Sequence, residues 1–154
     1  MQGLKHGQSL RIGRCSQPGN VYLVTSVVKD RLPVFSDIQI ARRVVAEMEH
    51  LQDLAVVHSM AWVVMPDHLH WLFELKSGSL PALMQALKGR SALAVNKAHG
   101  TKRLTWQKGY HDHGVRAEED IIEMARYVVN NPVRAGLVKQ REDYPLWGCE
   151  WMLE

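Results

Sequence analysis

Hydrophobic and polar positions change period several times along the chain, and each change marks an element. Residues 20–28, NVYLVTSVV, are rich in β-branched side chains and lie between Pro18-Gly19 and Lys29-Asp30, which predicts a first strand. Beyond Pro33, Ile40, Val44, Met48 and Leu51 recur at three-to-four spacing behind Ser36 as N-cap, predicting an amphipathic helix that ends near residue 54. Residues 56–65, VVHSMAWVVM, predict a second strand stopped by Pro66. HLHWLFEL, 68–75, predicts a third after a turn so short that the two must form an antiparallel hairpin. A second helix is predicted from Ser79, its cap, to His99, with Leu80, Leu83, Met84 and Leu87 on the inner stripe. RLTWQKGYHDHGVR, 103–116, reads as one or two short strands broken at Gly109. AEEDIIEMARYVVN, 117–130, reads as a third helix with Glu118, Glu119 and Asp120 in its first turn. Asn131-Pro132 then ends that helix or starts a new turn. This order predicts an α+β fold, a mainly antiparallel sheet with helices packed over one face.

The chain has 154 residues, enough for one core, so residues 1–154 are read as a single domain. A composition of 46% hydrophobic and 23% charged residues excludes collagen-like and largely disordered chains. No apolar run approaches the roughly 18 residues of a membrane span, and the opening MQGLKHGQSLRIGR lacks the hydrophobic stretch of a secretion signal. A cytoplasmic protein with no membrane partner is the expectation. Cys15 and Cys149 form no CxxC pair and are expected to be reduced thiols. The net charge of +3 is modest, but its distribution is not: from Lys76 to Arg116 eight basic residues face the single acid Asp112, which makes this segment +7 and the remainder −4. Such a block, with Trp106 and Tyr110 inside it, suits phosphates and unpaired bases; an ordinary solvated surface is the alternative.

Candidate chemistry follows from strand alternation. In HLHWLFEL, Leu69, Trp71, Phe73 and Leu75 share one face, and His68, His70, Leu72 and Glu74 the other. The two imidazoles point the same way, at a spacing that lets both reach one cation, although such a pair also occurs in strands for purely structural reasons. His111 and His113 repeat the spacing and offer an alternative site, or phosphate contacts. On the third helix, Ile121, Ile122, Ala125, Val128 and Val129 form one apolar stripe, with Tyr127 almost opposite, near Glu123. The most economical neighbour for that tyrosine is the histidine-bearing face of the sheet. Asn131, one turn on, is either a third ligand through its amide oxygen or a cap for the turn at Pro132.

AWVVMPDHLHWLFEL resembles the signature strand pair of the REP-associated tyrosine transposases, single-tyrosine transposases within the HUH (His-hydrophobic-His) nuclease superfamily. WQKGYHDHGVR, ARYVVNNPVRAGLV and DYPLW are similar to further segments of that family, so the resemblance runs from Val56 to Trp147. It implies a ferredoxin-like HUH domain in which His68 and His70 bind a divalent metal, Mg²⁺ or Mn²⁺, and Tyr127 is the nucleophile. Asn131 would complete the metal site. The implied activity is cleavage and joining of single-stranded DNA beside a hairpin of the repeated extragenic palindrome type, through a 5′-phosphotyrosine. A phenol ionises near pH 10, so this attack needs a proton acceptor. Glu123, a metal-bound water and Glu74 are the candidates. Lys88, Arg90, Lys102, Arg103 and Lys108 are the expected DNA contacts, and either a monomer or a homodimer is compatible with the sequence.

Two departures from the family pattern stand out. Asp67 replaces a common asparagine, and Val128-Val129-Asn130 replaces Ile-His-Leu. The chain ends soon after Trp147, so no C-terminal DNA-contacting extension is expected. A hairpin-binding protein with little cleavage, and a zinc hydrolase with no covalent step, are the competing readings.

Overall fold

The hairpin forms as its sequence requires: β2 (Val57–Met65) and β3 (His68–Leu75) pair antiparallel across the two-residue turn Pro66-Asp67. In this computed structural model, which describes residues 18–116, 118–151 and 153, they are the middle of a five-stranded sheet. β1 (Val21–Val27) pairs with β3 on one side and with β4 (His111–Val115) on the other. The order is β4-β1-β3-β2-β5, every neighbouring pair antiparallel, with β5 formed by Trp147–Cys149. Its first four strands have the split β-α-β-β-α-β arrangement of ferredoxin-like folds. α1 (Ile38–Asp53) joins β1 to β2, and α2 (Leu80–His99) joins β3 to β4.

The α+β expectation holds, but the helices divide between the faces rather than sharing one. α1 and α2 cover the inner face, where Trp71, Phe73 and Leu75 pack with Ile40, Val44, Leu83, Met84 and Leu87. Buried side chains of this size each contribute roughly 1.5–3 kcal/mol, and the Trp71 indole N–H is satisfied by the Ser59 hydroxyl at 2.9 Å. α3 (Glu118–Val129) lies on the outer face, its Ala125, Val128 and Val129 buried against Ala61, Val63, Met65 and Leu72. The reason is readable in β2: AWVVM is apolar at successive positions, the mark of a strand covered on both sides.

Local differences have local causes. Val34–Ser36 forms a 3₁₀ turn, so the cap of α1 moves from Ser36 to Asp37, whose carboxylate accepts the Gln39 N–H at 3.0 Å. Ser79 caps α2 by accepting the Ala82 N–H. Of the segment 103–116 only His111–Val115 is a strand; the part before Gly109 is a loop joined to the residue just past β1 by an isolated bridge, Val28 to Trp106. β5 was not expected, because three residues around Gly148 carry no periodicity. It is held by the DYPLW segment: the Tyr144 hydroxyl donates to the Val64 carbonyl at 2.6 Å, and the Leu146 carbonyl accepts the Val64 N–H. Cys149 is a free thiol, and Cys15 lies outside the described residues. Among the described residues no helix is long and apolar enough to cross a membrane.

Candidate active site on the outer face of the sheet

β3 alternates as its sequence dictates, which puts His68 and His70 on the outer face beside Leu72, while Leu69 and Trp71 enter the inner core. The two imidazole rings stand edge to face with centroids 4.7 Å apart. Each has its Nδ1 engaged. His68 Nδ1 lies 2.7 Å from Asp67 Oδ1, and His70 Nδ1 lies 2.8 Å from the Thr25 hydroxyl, its cross-strand neighbour. Burial raises the Asp67 pKa, but hydrogen bonds and charge from His68 and Arg31 outweigh it and hold the carboxyl below its ordinary value. An ionised carboxylate only accepts, so the His68 Nδ1–H donates to it, and Nε2 is the ring nitrogen this contact leaves unused. Carboxylate support of this kind orients a metal-ligating histidine and raises its basicity. The residue that departs from the family pattern is thus a partner of the histidine rather than a stray charge.

His70 is the more deeply perturbed ring. Burial, with the charges of His68 and Arg134 adding to it, lowers its pKa from 6.5 to about 3, so it is neutral at neutral pH. This carries a stability consequence of known sign. The unfolded chain takes up a proton at His70 below pH 6.5 and the folded chain only below about 3. Metal-free protein is therefore expected to lose stability as pH falls through that window, by up to about 1.4 kcal/mol per pH unit from this group. Urea melts in chelator at stepped pH test it; a flat unfolding free energy between pH 6 and pH 4 contradicts it.

Tyr127 sits at the C-terminal end of α3, its ring centroid 6.4 Å from that of His70, and is 49% exposed. The sequence argument that it lies off the apolar stripe holds, but the sheet does not cover it. The stripe itself occupies the outer face, and the tyrosine stands at the flank with the guanidinium of Arg134 over its ring at 3.9 Å. Asn131 opens the one-turn α4 (Asn131–Arg134), where the cap position belongs to Asn130. Asn130 accepts from Arg141 at 2.9 Å, so the capping role considered for Asn131 is not the one it has. The Asn131 Nδ2 is buried without a hydrogen-bond partner, a donor that a water or another acceptor would satisfy and a cation would not.

These observations bear on a metal. Among the described residues no cluster of three His, Cys, Asp or Glu exists. Two pre-oriented imidazoles, each with its Nδ1 engaged and its Nε2 left for another partner, nonetheless fit a cation that retains open positions for oxygen ligands.

The other expected residues are scattered. Glu123 is exposed, pairs with Arg126 at 3.1 Å, and shares with Tyr127 and Arg134 an open groove of about 400 Å³. Glu74 is on the histidine face but four residues from His70, about 13 Å along the strand, and lies 3.8 Å from Lys76. Lys88 and Arg90 are on α2, which packs on the opposite face, and both are used internally. The Lys88 ammonium donates to the carbonyls of Gln107 and Gly109, which clamps the loop before β4, and burial lowers its pKa. Arg90 pairs with Glu47 at 2.8 Å. Neither is a free phosphate contact. Lys102, Arg103 and Lys108 lie on the exposed loop after α2, with Arg103 3.8 Å from Asp37. That loop runs beside the end of β1 next to His68, through Lys29 N–H to Thr105 carbonyl and Gln107 N–H to Val27 carbonyl bonds. His111 and His113 are exposed on the outer face of β4, with His111 in the cross-sheet row Thr25–His70. Thr25, Arg31 and Arg134 were missed. Arg134 alone had a sequence signal, its place within NPVRAGLV.

A family model described as "Transposase IS200 like" matches residues 18–131, a span that holds His68, His70, Tyr127 and Asn131. The chain belongs to the IS200-like transposase family. Among its relatives, the REP-associated tyrosine transposase of Escherichia coli K12 is 32% identical over 87 residues, 55% of this chain and 50% of that one. The chain thus spans about half the length of that curated relative. A solved structure of a REP-associated tyrosine transposase bound to a REP hairpin superposes with a TM-score of 0.69 at 25% identity, covering 87% of this chain and 79% of the other. A putative transposase from Deinococcus radiodurans shares the fold, with a TM-score of 0.54 at 22% identity over 71% of this chain and 88% of the other.

Proposed function

We propose that this transposase cleaves and rejoins single-stranded DNA beside a palindromic hairpin, using Tyr127 as nucleophile. The observation that carries the reading is the meeting of Tyr127, from α3, with His70 and His68, from β3, on one open face. Membership of the family and the hairpin bound by the related structure support it. In the reaction, the Tyr127 oxygen attacks the scissile phosphorus in line, and the bond to the 3′ oxygen breaks. The phenolic proton passes to an acceptor, Glu123 or water, and the departing 3′ oxygen takes up a proton. One phosphodiester replaces another, so the 5′-phosphotyrosine can be resolved by the reverse attack of a 3′-hydroxyl without an external energy source.

His68 and His70, through Nε2, and Asn131, through its amide oxygen, are the residues that would hold Mg²⁺ or Mn²⁺. A cation held there would supply Lewis-acid stabilisation of the phosphate's charge. Beyond the site, Lys102, Arg103 and Lys108 would follow the DNA backbone along the loop after α2.

Incubation with an end-labelled single-stranded hairpin and Mn²⁺, followed by denaturing electrophoresis, is expected to show label travelling with the protein. Cleavage without attached label would instead mark a hydrolase, and binding without cleavage a hairpin-binding module.

A further inference from the structure

An exposed nucleophile needs something to hold it. Among the described residues the Tyr127 hydroxyl makes no hydrogen bond, and the ring's aromatic and cationic neighbours are His70 at its edge and Arg134 over its face. A ring 49% open to solvent would otherwise move between staggered rotamers, only some of which direct the hydroxyl toward the histidines. Arg134 makes two contacts to this residue at once. Its guanidinium carbon is 3.9 Å above the ring, and its Nη2 donates to the Tyr127 main-chain carbonyl at 2.7 Å. The backbone makes this reach possible: α3 ends at Val129, and α4 turns the chain back, with the Arg134 N–H bonded to the Asn130 carbonyl at 3.0 Å. The same guanidinium is thereby tied to the backbone that carries the ring it covers.

We propose that Arg134 is a positioning residue that pins the Tyr127 ring beside His68 and His70. The inference rests on Tyr127 being the nucleophile. The planar guanidinium is the element that matters, since a lysine in its place would keep the charge but neither the flat stack nor the fixed fork of donors. Because the geometry of attack is steep in distance, an error of about 1 Å in the nucleophile costs on the order of 10²-fold in rate.

The test pairs a structural with a kinetic measurement on Arg134→Ala and Arg134→Lys. In DNA-free protein carrying labelled tyrosine and histidine, the nuclear Overhauser contact between the Tyr127 and His70 rings is expected in wild type and weakened in both variants. In single-turnover reactions with the hairpin and Mn²⁺, both variants are expected to form adduct roughly 10–100-fold more slowly, with hairpin Kd changed less than about threefold. Retention of ring contact and rate in Arg134→Ala overturns the proposal. So does full recovery of both by lysine, since charge alone would then suffice. A variant that loses affinity but keeps rate and ring contact also overturns it, in favour of a DNA contact. Should wild type form no adduct, the nucleophile assignment fails, and the ring measurement still decides whether Arg134 pins Tyr127. If the alanine variant does not fold, the lysine variant carries the test.

Discussion

Replacing Tyr127 by phenylalanine is expected to abolish the protein–DNA adduct, lowering its rate of formation by at least about 10³-fold, the scale for removing a group the chemistry cannot do without. The substitution removes one oxygen and little else. The hydroxyl has no hydrogen-bond partner among the described residues, so its loss leaves no orphaned donor or acceptor in the protein. The stacked guanidinium and the neighbouring histidine retain an aromatic ring to pack on. Stability should therefore change by less than about 0.5 kcal/mol. Hairpin affinity should stay within about 1 kcal/mol of wild type, because binding of this class is dominated by phosphate contacts elsewhere. Gel-shift titration and denaturing electrophoresis on the same preparation separate the two quantities. An adduct formed at the normal rate by Tyr127→Phe would move the nucleophile to another residue. Loss of adduct together with loss of binding would mean that the phenol serves recognition rather than attack.

The case for this site was legible in the sequence wherever a single element carries it. Alternation in HLHWLFEL puts both histidines on one face, and the helical stripe of α3 puts Tyr127 off the core; each follows from a local period. What local periods cannot show is how elements meet. The third helix was expected with the others, yet it lies on the outer face, because Leu72, next to His70 on that face, and the unbroken AWVVM run leave a second apolar patch to cover. The charge block misled for a related reason. Counting residues from Lys76 to Arg116 cannot tell that Lys88 bonds two loop carbonyls and Arg90 a glutamate on α1, while Lys102 and Lys108 stay exposed on the loop. Thr25 and Arg31 act only through the β1–β3 register and the chain reversal near Asp67, both long-range, and neither residue type signals such a role.

Removing both imidazoles, His68→Ala with His70→Ala, is expected to stop cleavage and to end tight Mn²⁺ binding while leaving the fold in place. The rings stand on the outer face, outside the inner core of Trp71, Phe73 and Leu75, so the strand should keep its pairing and most of its apolar burial. The losses are bounded and partly opposed. His68→Ala frees the Asp67 carboxylate from one of two partners and leaves it Arg31 at 3.2 Å. His70→Ala leaves the Thr25 hydroxyl without its partner, which costs about 1–3 kcal/mol if no water replaces the ring. It also removes a group that resists protonation when folded, so the double variant should be less acid-sensitive than metal-free wild type between pH 6.5 and about 3. Circular dichroism establishes that the fold survives, and electron paramagnetic resonance of free Mn²⁺ reads binding without any turnover. Cleavage at the normal rate by the folded double variant would show that the imidazoles are structural. A variant that fails to fold would favour a structural role for the pair, since both rings are largely buried on the face that α3 covers. If cleavage and Mn²⁺ binding vanish together while hairpin affinity persists, the two rings and Tyr127 form one chemical unit, with the basic loop after α2 left to recognise DNA.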